Sequence, residues 1–186
     1  MDRSSSAKKL YDSRLMKKPE EVKNFEDAQV ELFADKDPSV LPDLFAAFDD
    51  STQHMEVMWG LVHTVEGFDL KDYLGELAKA VPKLLPHAKD WALLLNQRVM
   101  NTKKALPIYR KVVAALPPET REAETKLLEE IRTTSPNLAS GVAQVLGEAQ
   151  KSAKKFAKKS AKKPAAKKSA KKSAKKSAKK SGRKSR

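Results

Sequence analysis

The chain has 186 residues, contains no cysteine and carries a formal net charge of +14. This length suffices for one well-packed core but not comfortably for two, and the lack of cysteine excludes disulfide bonds and thiolate chemistry. No run approaches the roughly 18 apolar residues of a membrane span, and the N-terminus lacks the apolar stretch of a secretory signal. We therefore expect a cytoplasmic protein without membrane insertion.

The charge is divided unevenly along the chain. Residues 151–186 hold 18 of the 38 Lys and Arg and none of the 24 Asp and Glu, so this segment carries +18 and residues 1–150 carry −4. A block of like charges repels itself and stays unfolded, which is typical of an interaction tail. We therefore expect a polar N-terminal segment at 1–18 that is either flexible or weakly helical, an all-α domain at 19–150 and a disordered Lys-rich tail at 151–186.

Helical spacing of apolar residues dominates the first half of the domain. Pro19, followed by two acidic residues, predicts a helix start, and this helix runs to about Ala34. A short helix follows at 41–48, and the most apolar helix of the chain is expected at 53–68. Because apolar residues cover most of its cylinder, the helix at 53–68 is predicted to be central.

Helical patterns continue through the second half of the domain. One helix is expected at 69–88, bent or ended near Pro82 and Pro86. Further helices are predicted at 88–101, 103–116 (with an internal Pro107), 117–134 and 135–150. Since the connections are short, we predict an all-α fold, either a compact bundle or a short stack of about eight antiparallel helices. The lack of a repeat near 34 or 40 residues weighs against a regular solenoid.

The most apolar helix carries one stripe of polar or very small residues, formed by Glu56, Gly60, His63 and Gly67, with Glu66 beside it. One histidine and two carboxylates near one another could ligate a metal or act in acid–base chemistry. Without a second histidine nearby in the sequence, this signal is weak. We favour the alternative, in which the carboxylates pair with a neighbouring helix.

The predicted partner of these carboxylates is Arg98. It shares a helix face with Trp91 and Leu95. An arginine on an apolar face needs a carboxylate, because an unpaired buried charge costs several kcal/mol. We predict that Arg98 forms a structural buried pair with Glu56 or Glu66.

Motifs of enzyme active sites are missing from the sequence. There is no phosphate-binding glycine-rich loop, no nucleophile elbow and no paired-cysteine metal site. The serines cluster near the N-terminus and in the tail, away from any catalytic base. We therefore expect no enzyme, no catalytic or metal-binding residue and no cofactor.

The helix at 53–68 and the segment "WALLLNQRVMN" at 91–101 resemble the immunity protein 30 family of bacterial polymorphic toxin systems, over roughly residues 25–135. The residues that carry the resemblance are Glu56, Val57, Met58, Glu66, Phe68, Trp91, Arg98 and Asn101. Members of this family are small all-α cytoplasmic proteins that bind and silence a cognate toxin. The resemblance thus implies a non-enzymatic binding protein whose partner is a protein toxin, and it gives no reason for the tail.

The residues that bind this partner stay unknown at this level. Many toxins that attack nucleic acid are basic, so an acidic body would favour their association. Two acidic clusters are candidate contact surfaces, although for any one cluster we favour the alternative of a solvated helix end or face. They are Asp35, Asp37, Asp49 and Asp50, and Glu119, Glu122, Glu124, Glu129 and Glu130.

Lysine pairs recur through the tail in units of four residues, and Phe156 is its only aromatic residue. The tail has no interleaved aromatic residues for base stacking and no side chains placed to read base edges. We therefore expect its lysines to bind DNA or RNA by neutralising phosphates, without sequence preference. The composition resembles the tails of linker histones and of bacterial histone-like proteins. The predicted nucleic-acid contacts are Lys154, Lys155, Lys158, Lys159, Lys162, Lys163, Lys167, Lys168, Lys171, Lys172, Lys175, Lys176, Lys179, Lys180, Arg183, Lys184 and Arg186.

Two functions therefore stay open. The first is an immunity-like binding protein whose tail places it on the nucleoid. The alternative is a nucleoid-associated, histone-like DNA-binding protein whose helical domain binds a partner. A toxin gene beside this one would favour the first, and broad DNA compaction without a toxin would favour the second.

Overall fold

The computed structural model describes residues 3–147. Over this range the chain forms nine α-helices and no β-strand, which confirms the all-α prediction. The helices are α1 (Arg3–Asp12), α2 (Pro19–Phe33), α3 (Leu41–Ala46), α4 (Met55–Glu66), α5 (Leu70–Leu84), α6 (Lys89–Met100), α7 (Leu106–Ala115), α8 (Pro118–Thr134) and α9 (139–147), with 3-10 turns at Pro38–Val40 and Pro136–Leu138. The predicted tail lies outside the described residues.

Helix α5 lies at the centre of the fold and contacts α3, α4, α6, α7 and α8. It buries six side chains along one broad face, from Tyr73 to Leu84, because they recur at helical spacing. The contacts of α5 reach from α3 to α8, so this helix joins the first and second halves of the described domain.

The prolines mark helix ends as predicted, with one difference. Helix α5 ends at Leu84, between Pro82 and Pro86. Pro107 was expected inside a helix, but α7 begins at Leu106 and places this proline in its first turn. A proline costs no hydrogen bond there, since the first N–H groups of a helix have no intrahelical partner.

The prediction that the most apolar helix is central was wrong, because α4 lies at the surface. Its core-facing side chains are Met58, Leu61, Val62 and Val65. Met55 and Trp59, on the other side, are 50% and 36% exposed. The number of apolar residues in a helix does not show which of its sides another helix covers. Within the described residues, no helix covers the side of α4 that carries Met55 and Trp59.

The polar N-terminal segment is more ordered than the flexible or weakly helical stretch expected at 1–18. Residues 3–12 form α1, which packs against α2. Leu10 and Met16 are fully buried, and the Ser6 hydroxyl donates a hydrogen bond of 2.6 Å to Glu31 of α2. Met16 adopts a φ of 51°, a left-handed conformation that its burial stabilises. With so few apolar residues, this segment gave only a weak helical signal in the sequence.

A row of aromatic rings joins α3, α5 and α6 in the core. The Phe45 ring centroid lies 6.2 Å from that of Tyr73 and 6.3 Å from that of Phe48, and Phe48 lies 5.7 Å from Trp91. Such pairs add to the stability that burial of their area provides. The row ends at Trp91, directly beneath the exposed side of α4.

Candidate interaction surface on α4

The exposed side of α4 forms a partly apolar surface, which we call the α4 face: Met55, Trp59 and His63, with Arg98 of α6 beside the Trp59 ring. Two of the four exposed large hydrophobic side chains of the described residues, Met55 and Trp59, belong to this face. A third, Val30 of α2, is 69% exposed and lies across from Val57 and Gly60 of α4. Grouped exposed apolar side chains are typical of interaction sites, whereas single ones are ordinary.

Trp59 is the centre of the α4 face and is held by its neighbours. Its ring centroid lies 6.0 Å from that of Trp91 at an interplanar angle of 78°, an edge-to-face contact. The guanidinium carbon of Arg98 lies 5.6 Å from the Trp59 ring centroid, within cation–π distance. The indole is therefore positioned by the fold before any partner binds.

Arg98 is itself fixed by a bidentate ion pair. Its Nε donates to Glu66 Oε1 at 2.6 Å and its Nη2 donates to Glu66 Oε2 at 2.7 Å. The hydrogen bonds to Glu66 raise the pKa of Arg98, so the guanidinium stays charged. The two side chains are 38% and 25% exposed, so this pair is half-buried. Of the two predicted carboxylates, Arg98 thus contacts Glu66.

The three side chains considered as metal ligands have separate partners. Glu56 accepts a hydrogen bond of 2.8 Å from His54 Nδ1, which holds the pKa of this exposed carboxyl below its usual range. His63 packs against the indole at 6.3 Å between ring centroids, and Glu66 binds the guanidinium. Within residues 3–147, no group of three or more His, Asp or Glu side chains could hold a metal ion.

A groove of about 340 Å³ separates α2 from the N-terminal half of α4. This α2–α4 groove is lined by Glu26, Gln29, Val30, Glu56, Val57 and Gly60. The Gln29 amide Nε2 donates to Thr64 Oγ1 at 2.7 Å, while its buried Oε1 has no partner among the described residues. With two carboxylates and a carbonyl oxygen around apolar walls, the groove favours hydrogen-bond donors and cations.

The first predicted acidic cluster divides into structural and solvent-facing residues. Asp49 is 5% exposed and pairs with Arg14 Nε at 3.1 Å. Asp50 accepts hydrogen bonds of 3.1 and 3.3 Å from two backbone N–H groups in the first turn of α6, the role of a helix cap. Asp35 and Asp37 stay exposed, and Asp37 caps the first 3-10 turn. Two members of this cluster thus stabilise the fold and two face solvent.

The second predicted acidic cluster also divides. Glu124 is fully buried and therefore cannot contact a partner. Glu119 is exposed in the first turn of α8. The others form ion pairs near the surface: Glu122 with Lys126, Glu129 with Arg132, and Glu130 with Lys89. Since such pairs add little stability, they mainly balance local charge.

Glu124 belongs to a buried polar cluster that we did not predict from the sequence. The Tyr109 hydroxyl oxygen lies 2.6 Å from Glu124 Oε1 and 2.8 Å from Asn96 Oδ1. Burial raises the pKa of Glu124 to about 8, so the carboxyl is protonated at neutral pH. A protonated Glu124 donates to Tyr109, whose single hydroxyl proton is then free for Asn96. Neutral Glu124 thus satisfies both contacts.

A sequence signal for this cluster existed. Glu124 lies three and four residues before Leu127 and Leu128, and seven before Ile131, so it shares their buried face. Grouping it with nearby acidic residues by proximity in the sequence obscured that position. Helical periodicity would have assigned Glu124 to the core and the other members of its cluster to the surface.

The predicted nucleic-acid contacts, from Lys154 to Arg186, lie outside the described residues. In the part of the chain that the structure describes, no helix is long and apolar enough to cross a membrane.

Comparison with known proteins supports a family assignment. The family model for immunity protein 30 matches residues 12–109. This segment contains all of α2 to α6, and therefore the whole α4 face together with Glu66 and Trp91. No curated protein and no solved structure matches the chain. The family model covers more than half of the chain and confirms the resemblance found in the sequence, so the protein belongs to the immunity protein 30 family.

Proposed function

We propose that this protein neutralises a cognate protein toxin by binding it through the α4 face. The observation that carries the proposal is the position of Trp59, which is partly exposed, rigidly held and inside the segment that the family model matches. Binding energy at protein interfaces concentrates in a few Trp, Tyr and Arg side chains near the centre of the contact. Trp59 and Arg98 provide such a pair.

Rigidity adds to affinity here. Ordering a flexible side chain on binding costs roughly 0.5–1.5 kcal/mol. Trp91, Arg98 and Glu66 already hold the Trp59 ring in place. Little of this cost therefore falls on complex formation, and no chemical step is needed, because an antidote acts by occlusion.

A binding measurement tests the proposal on a matched pair of variants. The protein is co-expressed with the toxin encoded beside its own gene, and the affinity of the complex is measured for Trp59→Ala and Tyr11→Ala. Tyr11 is a comparably exposed aromatic residue on α1, away from the α4 face. We expect Trp59→Ala to weaken binding by about 30-fold or more, as at a binding hot spot, and Tyr11→Ala to have little effect. Equal affinities for the two variants would refute the α4 face as the toxin-binding surface.

We further propose that residues 151–186 hold the protein on nucleic acid in the cytoplasm, near the target of a nuclease toxin. Support comes from the charge of +18 with no acidic residue in this segment. Such binding depends on phosphate neutralisation, so its affinity should fall steeply with salt for any duplex. Removing residues 151–186 should abolish it, and retained DNA binding by the truncated chain would contradict the proposal.

The alternative, a nucleoid-associated architectural protein, predicts a different result. DNA compaction by the full chain together with no affinity for the neighbouring toxin would favour it. In both cases the protein is not expected to be an enzyme.

A further inference from the structure

A second concavity lies at the C-terminal end of α4, on the side away from the α2–α4 groove. It is an open cleft of about 350 Å³ between α4, α5, α6 and the loop before α7. Its polar lining consists of Glu66, Tyr73, Arg98, Asn101, Thr102 and Lys104. Because Arg98 also touches Trp59, this cleft adjoins the α4 face.

The cleft contains an unused hydrogen-bond donor. Tyr73 is 4% exposed, and its hydroxyl has no hydrogen-bond partner among residues 3–147. Leaving a buried hydroxyl unpaired costs about 1–3 kcal/mol. Burial raises the pKa of Tyr73, so the group keeps its proton and remains a donor. A ligand that accepts a hydrogen bond would recover this cost.

The charges around the cleft favour an anion. Glu66 is engaged through both oxygens by Arg98, which uses Nε and Nη2 and leaves Nη1 for another acceptor. Lys104 forms no ion pair with any described carboxylate. Two cations therefore face one neutralised carboxylate, on a body whose residues 1–150 carry −4.

We propose that this cleft binds the carboxylate of an acidic side chain supplied by the protein partner. The inference rests on the proposed function, since the partner must lie on the adjoining α4 face. The acidic α2–α4 groove and the cationic cleft flank α4 at opposite ends, so a partner with matching charges binds in one orientation only. Electrostatic complementarity of this kind determines specificity more than affinity.

Acetate serves as the probe of the cleft. Sodium acetate is added to the full chain at constant ionic strength, and backbone amide shifts are followed by NMR. We expect saturable shifts at Thr102 and Lys104 with a dissociation constant on the order of 10 mM, because few hydrogen bonds are formed. Shifts that do not saturate, or that sodium chloride reproduces, would overturn the proposal. Tighter binding of inorganic phosphate than of acetate would also overturn it, by assigning the cleft to phosphate groups.

Three variants locate the binding. Tyr73→Phe removes only the hydroxyl, and Lys104→Gln removes one exposed cation. Each should weaken acetate binding by about tenfold, as expected for a hydrogen bond to a charged group. Lys103→Gln is the matched control, because Lys103 is the neighbouring exposed lysine and does not line the cleft. Equal acetate affinity for Lys104→Gln and Lys103→Gln would refute the assignment, whatever the stability of Tyr73→Phe.

The toxin complex separates this inference from the proposed function. If Trp59→Ala releases the toxin but acetate does not bind, only the cleft assignment fails. If acetate binds but Trp59→Ala leaves toxin affinity unchanged, the α4 face fails as the toxin site. Support for both requires that Lys104→Gln, but not Lys103→Gln, also weakens toxin binding.

Discussion

Two clusters in this fold combine an aromatic ring with a glutamate, yet their carboxyl groups differ in charge. In the buried cluster, Tyr109 lies against Glu124, whose carboxyl is protonated at neutral pH. In the α4 face, Trp59 lies against Arg98, which pairs with an ionised Glu66. The difference follows from the third partner, an amide in the first cluster and a guanidinium in the second, and from access to water.

The comparison separates a stabilising role from a binding role. The buried cluster has no charge and no exposure, so its contacts can only hold α6, α7 and α8 together. The exposed cluster keeps a charged, rigid surface at solvent and loses little stability by doing so, because water still solvates both ions. Substitutions in the first cluster should therefore change stability, and those in the second should change binding.

The largest expected effect is that of truncating the buried ring. Tyr109→Ala should lower the free energy of unfolding by about 3–5 kcal/mol, because it leaves a cavity and removes the partner of Glu124 and Asn96. Trp59→Ala removes a partly exposed ring and should cost less than about half as much. Urea unfolding of both variants measures the difference, and equal losses would mean that Trp59 is an ordinary core residue.

The next effect concerns pH. Below about pH 4.5 the Glu124 carboxyl is protonated in both the folded and the unfolded chain, so its contribution to stability is complete. As pH rises, the unfolded chain loses this proton first, and the folded chain keeps it until about pH 8. The free energy of unfolding should therefore fall between these values, by about 1.4 kcal/mol per pH unit.

Glu124→Gln should reduce this slope, since the amide keeps the shape and does not titrate. Glu119→Gln, at an exposed glutamate of the same helix, is the matched control and should keep the slope of the parent protein. Denaturant unfolding at several pH values between 5 and 8 gives the three slopes. Identical slopes for the two variants would show that Glu124 is ionised in the folded state.

The positions of the helices could largely be predicted from the sequence, but their arrangement around the core could not. Helix positions followed from local signals, such as the proline that opens α2 and those that bracket the end of α5. The central position of α5 did not, because it depends on which helices meet across the core. A count of apolar residues favoured α4, although its outer side has no covering helix.

The candidate site was predictable to a similar degree. Arg98 lies on the same helix face as apolar residues, which predicted that it pairs with a carboxylate. The sequence offered Glu56 and Glu66 as alternative partners. Choosing between them needed the fold, because Glu66 faces α6 whereas Glu56 lies at the α2–α4 groove beside His54. The exposure of Trp59 could not be predicted from the sequence, because an apolar residue in such a helix is equally compatible with a buried position.

A smaller effect is expected at the ion pair. Arg98→Met should lower the free energy of unfolding by about 1 kcal/mol, because water partly screens a pair with this exposure. A double-mutant cycle with Glu66→Gln isolates the coupling between the two side chains. Lys126→Met, which breaks the more exposed pair with Glu122, is the control and should have almost no effect. A coupling energy of zero would reduce Arg98 to a packing residue of Trp59.

The smallest effect should have the opposite sign. Glycine inside a helix is less favourable than alanine by roughly 0.5–1 kcal/mol. A Cβ at Gly60 would lie 3.7 Å from Gln29 Nε2, an ordinary contact, so Gly60→Ala should raise the free energy of unfolding by about this amount. At Gly67 a Cβ would lie 2.8 Å from the Phe33 ring, so Gly67→Ala should bring no such gain.

Gly60 also lines the α2–α4 groove, so the Gly60→Ala variant can separate an effect on stability from an effect on binding. If the groove contacts the toxin, Gly60→Ala makes the protein more stable and the complex weaker, because the added methyl group narrows the groove. Unfolding and toxin affinity measured on the same preparation test this. A variant that gains stability and keeps full affinity would restrict the toxin contact to the Trp59 and Arg98 side of α4.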